Sequence, residues 1–307
     1  MKPRASLLLL LAWLIAGCTV DSSTADTRAD EDRVIGTVVD GRGARLSTSV
    51  PRVRVVSLMP SMTEIVVAFG GASQLAGRTR FDEDPAISDV PSVGGTVNPD
   101  VEAILEARPD LVITWADTDA RALTERFESF GLPVYAARAR SIDDFERHAR
   151  ALGALLGRSA AAEALVEQVG QQLEAVRVDA PEAERPSVLF VVWPRPLITT
   201  GAGTFVDELI RQVGGRSAFD DLNDPWPTVS FEAVLERAPD LVVVTSEHAE
   251  GLVPHWIEQD PTWRTLDAVR LGRVHLVDAD IFNRPGPRMV DAAVELAEYV
   301  RGARAPE

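Results

Sequence analysis

Cysteine is nearly absent. The 307-residue chain has one, Cys18, which excludes an intrachain disulfide and a cysteine-ligated metal cluster. Positive charge is also scarce: 31 Lys and Arg stand against 47 Asp and Glu, a formal charge of −16. That balance argues against nucleic acid as a partner, because phosphate binding needs a surplus of Lys and Arg. There is no Gly-x-Ser-x-Gly elbow, no Walker-type phosphate loop and no His-Glu-x-x-His helix. Gly201-Ala202-Gly203 lacks the third glycine of a dinucleotide fingerprint and reads as a loop before a helix capped by Thr204. The four histidines, His148, His248, His255 and His275, show no metal-ligand spacing. His148, with Arg147 and Arg150, is expected on a helix surface, and His275, inside RVHLVD, is expected to be structural. His255, next to Trp256 in a loop, is a weak ligand candidate. Nothing here points to covalent or acid–base catalysis, so no enzyme, resident cofactor or metal site is expected.

No apolar run is long enough to span a bilayer. Lys2 and Arg4 precede an uncharged stretch from Ala5 to Ala16, the layout of a secretory signal. The stretch ends Leu14-Ile15-Ala16-Gly17-Cys18, which resembles a bacterial lipobox and implies cleavage before Cys18 and lipid on that cysteine. Acyl chains would hold the protein at a membrane without a spanning helix. The mature body is therefore expected on the periplasmic or cell-surface side. Residues 19–33 are polar and acidic and read as a flexible tether. VIGTVVDGRGARL then offers two short apolar runs around Asp40-Gly41, a hairpin pattern.

The body carries an internal repeat. EAILEARPDLV at 102–112 returns as EAVLERAPDLV at 232–242, each a short helix stopped by proline and followed by an apolar strand. A looser pair joins VRVVSLMP and SVLFVVWP, each followed by a helix that ends at a Gly-Gly, with Ser61-Met62-Thr63-Glu64 spaced as a capping box. Apolar strands alternating with helices predict parallel sheets covered on both faces. The expected class is α/β: two Rossmann-like lobes joined by a long bridging helix, with a ligand cleft between them. The expected division is a signal at 1–17, tether and hairpin at 18–51, a first lobe at 52–157, the bridge at 158–180 and a second lobe at 181–307. A break is expected near Gly157-Arg158, followed by a helix over 159–178.

Five tryptophans lie beyond the signal, against two tyrosines. Trp115 follows LVIT, Trp193 follows VLFVV, and Trp226 sits between prolines in DPWPTVS. Loops at the carboxyl ends of parallel strands line the ligand crevice, so these positions suit an aromatic-lined site for a large, flat, partly apolar ligand.

With these residues on the page, the chain resembles the periplasmic cobalamin receptors of ABC importers, within the helix-bridged group that also takes ferric siderophores and haem. The resemblance runs from about residue 34 to the C-terminus. It is carried by VVSLMPSMTE (55–64), VNPDVEAILEARPDLVITW (97–115), DPWPTVSFEAVLERAPDLVVV (224–244) and ADIFNRPGPRM (279–289). It implies that Phe81 stacks on the corrin ring, that Trp115 and Trp226 contact the ligand, and that Asp280 and Arg284 meet the corrin periphery. Thr96 stands where the family presents a tryptophan, and Trp193 is the residue placed to compensate. Glu102 and Glu232 occupy the same place in the two repeats. The resemblance implies that they dock on arginines of the permease dimer, whereas helix chemistry alone would favour an acid in each first turn.

The implied function is capture of cobalamin or another corrinoid, as a monomer, for delivery to an ABC permease. Within the same fold a ferric siderophore would call for converging arginines such as Arg78, Arg80, Arg195 and Arg284. Haem would call for an axial Tyr135 or Tyr299. A two-lobed metallocluster reductase would need several cysteines, and a sensor domain without transport is the remaining reading.

Overall fold

The computed structural model describes residues 36–117, 120–246, 257 and 259–304. Cys18, the tether, His248, His255 and Trp256 lie outside the described residues. No helix among the described residues is long and apolar enough to cross a membrane.

The chain enters through the expected hairpin, β1 (Thr37–Val39) paired antiparallel with β2 (Arg45–Ser47). Asp40 closes the turn by accepting from the Arg42 and Ala44 amides at 2.8 and 2.9 Å. Gly41 donates to the Ala136 carbonyl at 2.7 Å, and a Cβ there would lie 2.9 Å from Ala116 Cβ. Glycine is thus what lets the turn dock against the first lobe.

That lobe is a four-stranded parallel sheet in the order β4-β3-β5-β6, from β3 (Val55–Ser57), β4 (Leu75–Gly77), β5 (Leu111–Trp115) and β6 (Val134–Ala137). Its helices are α1 (Pro60–Ala68), α2 (Val101–Glu106) and α3 (Arg121–Ser129). The second lobe is built on β7 (Ser187–Pro194), β8 (Leu197–Thr199), β9 (Arg216–Ser217), β10 (Leu241–Ser246) and β11 (Val274–Asp278). Its parallel strands run β9-β7-β10-β11, the same topology as the first lobe, and β8 adds an antiparallel hairpin arm at the far end of β7. The second lobe also holds α6 (Phe205–Gln212), α7 (Phe231–Arg237), α8 (Asp267–Arg270), α9 (Ala279–Phe282) and α10 (Met289–Arg304).

The sequence repeat persists at the level of single hydrogen bonds. Asp100 caps α2 and Ser230 caps α7. Each helix is followed by a left-handed residue before its proline, Arg108 (φ 46°) and Ala238 (φ 42°). Proline bars its predecessor from the right-handed helical region, and a Cβ at positive φ costs about 1–2 kcal/mol. The aspartate after each proline then clamps the start of the neighbouring strand. Asp110 accepts from the Val53 and Arg54 amides, and Asp240 accepts from the Ser187 amide.

Between the lobes run α4 (Ile142–Leu155) and α5 (Ser159–Ala175), separated by Gly157 at φ +70°. The bridging helix is shorter than the expected 159–178, about 25 Å by rise per residue. Its end tightens first, with the Val176 and Arg177 amides turning to the Leu173 and Glu174 carbonyls three residues back, and the Val178 amide then passes to the Gln212 carbonyl of the second lobe, 2.9 Å away. Along α5, Ala162, Leu165, Val166, Val169 and Leu173 are buried, the spacing of one helical face. This face packs on α4 and α10, and a single apolar core extends from Val55 and Ile113 through α5 to Val188 and Val243. Separating the lobes would expose several of these side chains, each worth about 1.5–3 kcal/mol.

His148 corrects one expectation. It is fully buried, with Nδ1 2.6 Å from the Tyr135 hydroxyl and Nε2 2.9 Å from the Arg138 carbonyl. The carbonyl can only accept, so Nε2 carries the proton and Nδ1 accepts from tyrosine. His275 sits in β11, stacked on Tyr299 with ring centroids 3.7 Å apart, as a structural residue would.

Candidate functional site

A cavity of about 410 Å³ lies between the lobes. The first lobe contributes α1 and the loop that follows β4, and the second contributes the end of β11, α9 and the segment to Arg288. It brings together three of the expected ligand residues, Phe81, Asp280 and Arg284.

Phe81 owes its position to Arg78, which is threaded inside the loop. Its guanidinium donates to the carbonyls of Ile87, Thr79 and Asp82 at 2.8–3.1 Å. Asp82 Oδ2 accepts from both the amide and the hydroxyl of Thr79 at 2.7 Å, drawing the turn tight. Phe81 is left 41% exposed, with the Arg80 guanidinium 4.8 Å from its ring centroid. Burial pushes the Asp82 carboxyl above the usual aspartate range, opposed by hydrogen bonds from Thr79 and Thr63 and by the charge of Arg284.

Across the cavity, Asp278 caps α9 by accepting from the Asp280 amide at 2.7 Å. One turn on, Arg284 Nη2 meets Asp280 Oδ1 at 2.5 Å, and its other nitrogen is 3.5 Å from Glu64 Oε1 in the first lobe. Arg288 Nη2 reaches the same Glu64 oxygen at 2.6 Å, and this bond raises the Arg288 pKa. The approach is close: a Cβ at Gly286 would lie 3.0 Å from Glu64 Oε2.

Glu64, Asp82 and Arg288 are the site residues that sequence reasoning missed. The sequence spacing predicts a capping box between Ser61 and Glu64, which the structure does not form. The helix begins earlier, because Pro60 has its φ preset for a first helical position and has no amide to leave unpaired. Glu64 is thereby placed inside α1 and Ser61 Oγ has no hydrogen-bond partner. The usable signal was an acid next to the apolar run IVVAF, together with the second arginine of NRPGPR.

Trp115, Trp193 and Trp226 are not among the described residues that line this cavity. Trp115 ends β5, half-buried against the core. Trp193 lies within β7 rather than after it, 47% exposed, with its indole N–H donating to the Arg195 carbonyl at 3.0 Å. Trp226 is 42% exposed on a loop tied to the β8 arm by Thr199 to Pro227 and Gly201 to Pro225 backbone bonds. The proposed anion-binding arginines do not converge as free charges: Arg78 is spent on carbonyls, Arg80 lies over Phe81, and Arg195 is 80% exposed near Asp260. Tyr135 is bonded to His148, and Tyr299 donates to Glu295. Glu102 and Glu232 are both exposed in the first turns of α2 and α7, and the carboxyl of Glu232 is held below its ordinary range by its own backbone amide and Ser230.

Three comparisons bear on this geometry. The uncharacterized ABC transporter substrate-binding lipoprotein YvrC of Bacillus subtilis is 29% identical over 313 residues, covering 98% of each chain. The crystal structure of the periplasmic vitamin B12 binding protein BtuF of Vibrio cholerae matches with a TM-score of 0.71 at 25% identity, covering 83% of this chain and 99% of that one. A periplasmic heme binding protein from Pseudomonas aeruginosa matches with a TM-score of 0.72 at 26% identity, covering 83% and 95%. Both solved structures share the two-lobed α/β fold, and residues 55–281 match the family model described as periplasmic binding protein. The chain belongs to the periplasmic binding protein family, whose members are non-enzymatic components of transport.

Proposed function

We propose that this substrate-binding protein of an ABC transporter captures a corrinoid, cobalamin first among them, and delivers it to the permease dimer. The supporting observation is the pairing of Phe81 from one lobe with Asp280 and Arg284 from the other across one cavity. A corrinoid has an apolar ring face and a rim of neutral carboxamides. An exposed phenyl ring suits the face, and an aspartate–arginine pair offers an acceptor and a donor to the rim. In this reading Trp115, Trp193 and Trp226 supply further aromatic contacts to the ligand, with Trp193 in place of the indole missing at Thr96. Neither arginine of the cavity is a free cation, which counts against a polyanionic siderophore. Both tyrosines have other partners, which counts against haem. In this reading lipid on Cys18 tethers the monomer on the periplasmic or cell-surface side, and Glu102 and Glu232 dock on the permease.

Tryptophan-fluorescence titration with cyanocobalamin, haemin and a ferric siderophore, repeated by calorimetry because the corrin absorbs, tests the reading. Saturation by cyanocobalamin at one to one is expected, with Phe81→Ala, Trp193→Ala and Trp226→Ala each weakening binding about tenfold. Saturation by an iron chelate alone would replace the corrinoid while keeping the importer.

A further inference from the structure

We propose that Glu64 is a specificity-determining residue: it neutralises Arg284 and Arg288 from the opposite lobe and so excludes anionic ligands from the cavity. The inference rests on reading this cavity as part of the ligand site, and adds to that reading the charge of the ligand it admits.

The argument begins with position. Glu64 lies on α1 of the first lobe, with its side chain only 15% exposed, and both arginines come from beyond α9 in the second lobe. One carboxylate oxygen, Oε1, serves both guanidiniums, at 2.6 Å to Arg288 and 3.5 Å to Arg284. Asp280 takes the remaining face of Arg284. Two cations that could have formed a carboxylate-binding fork are thus occupied before any ligand arrives. The second oxygen, Oε2, is buried and has no hydrogen-bond partner, so it is a spare acceptor rather than a donor.

The remaining charges act in the same direction. Among the described residues the cavity lining holds six carboxyl groups and two guanidiniums, which are the two that Glu64 engages. In a partly desolvated cleft, an entering carboxylate would meet this surplus at short range, where water screens it weakly. It would also have to displace Glu64 from Arg288 and leave that buried acid facing only Arg284, 3.5 Å away and already paired with Asp280, a costly arrangement. A neutral ligand bearing N–H donors meets neither penalty and finds acceptors waiting. Discrimination here comes from a built-in repulsive element as much as from attraction.

Glu64→Gln keeps the shape of the side chain and removes its charge, leaving Arg288 without its ion-pair partner and with only the more distant charges of Asp278 and Asp280. The probe is citrate, a tricarboxylate, titrated by calorimetry into the full chain in detergent at constant ionic strength. Glu64→Gln is expected to bind citrate at least tenfold more tightly than the wild type. The double variant Glu64→Gln/Arg288→Gln, with the cation also removed, is expected to lose that gain, which separates a released arginine from a loosened fold. Equal citrate affinity in wild type and Glu64→Gln, or a gain that survives in the double variant, overturns the proposal. Cyanocobalamin, titrated into the same proteins, distinguishes the two readings: its failure to bind removes the corrinoid while the citrate comparison still decides the role of Glu64.

Discussion

His148 and Tyr135 form a closed polar pair inside the first lobe, and its chemistry predicts how the protein meets acid. Burial holds the imidazole pKa below its ordinary value of 6.5, because a charged ring could not be solvated there. As pH falls through 6.5 the unfolded chain takes up a proton that the folded chain refuses. The stabilisation is therefore complete above pH 6.5 and declines below it toward the folded pKa, by at most about 1.4 kcal/mol per pH unit for one proton. Chemical denaturation at pH 7.0 and 5.5 should show this loss, and His148→Gln, which preserves an acceptor for Tyr135 and a donor for Arg138, should flatten it. An unchanged slope in the variant would assign the acid sensitivity elsewhere. The burial was legible, although not from the neighbours in sequence. Arg147 and Arg150 suggest a surface, but Phe145 and Leu152, three before and four after, are the residues that share a helical face with His148, and both are buried.

At the scale of elements, the β8 arm and the loop bearing Trp226 act as one unit. Gly201 is the point of contact: a Cβ there would fall 2.0 Å from the Asp224 carbonyl oxygen, and the Gly201 amide donates to Pro225 at 3.0 Å. Gly201→Ala should cost about 1–3 kcal/mol in stability and, by pushing the loop away, weaken ligand binding as well. Gly203→Ala is the control. Gly203 has φ +73° with open space around it, so the substitution strains the backbone but leaves the Trp226 loop in place, and affinity should hold. Denaturation midpoints and calorimetry on both variants separate the two effects. The Gly-Ala-Gly loop and the Thr204 cap, which accepts from the Asp207 amide at 3.1 Å, could be read directly from residue types. The β8 arm could not, because its pairing with Trp193 and Pro194 depends on a register that the short LIT run does not announce. The start of α1 is ambiguous in the sequence for a related reason: a capping-box spacing competes with a proline one residue earlier, and the proline prevails.

For the whole molecule, the duplicated helix–proline–strand unit was enough to predict two lobes with parallel sheets, since each copy must bury an apolar strand between helices. The contacts between lobes were not legible. Glu64 and Arg288 are 224 positions apart, and neither periodicity nor repeat links them. Glu102 and Glu232 belong to the legible part, and their proposed role is testable at this scale. If they dock on the permease as proposed, reversing both to arginine should abolish ligand uptake in cells while leaving binding in solution intact, because Asp100 and Ser230 still cap the two helices. Undiminished uptake would remove the docking role. The continuous core through α5 has a last implication for that encounter. Halves that share one interior have little slack with which to announce that they are loaded, so an empty and a filled protein would present nearly the same silhouette. A permease gripping Glu102 and Glu232 as proposed would have to tell the two apart at the mouth of the cleft, by touching the cargo itself, and unloaded receptors would queue for the same berth.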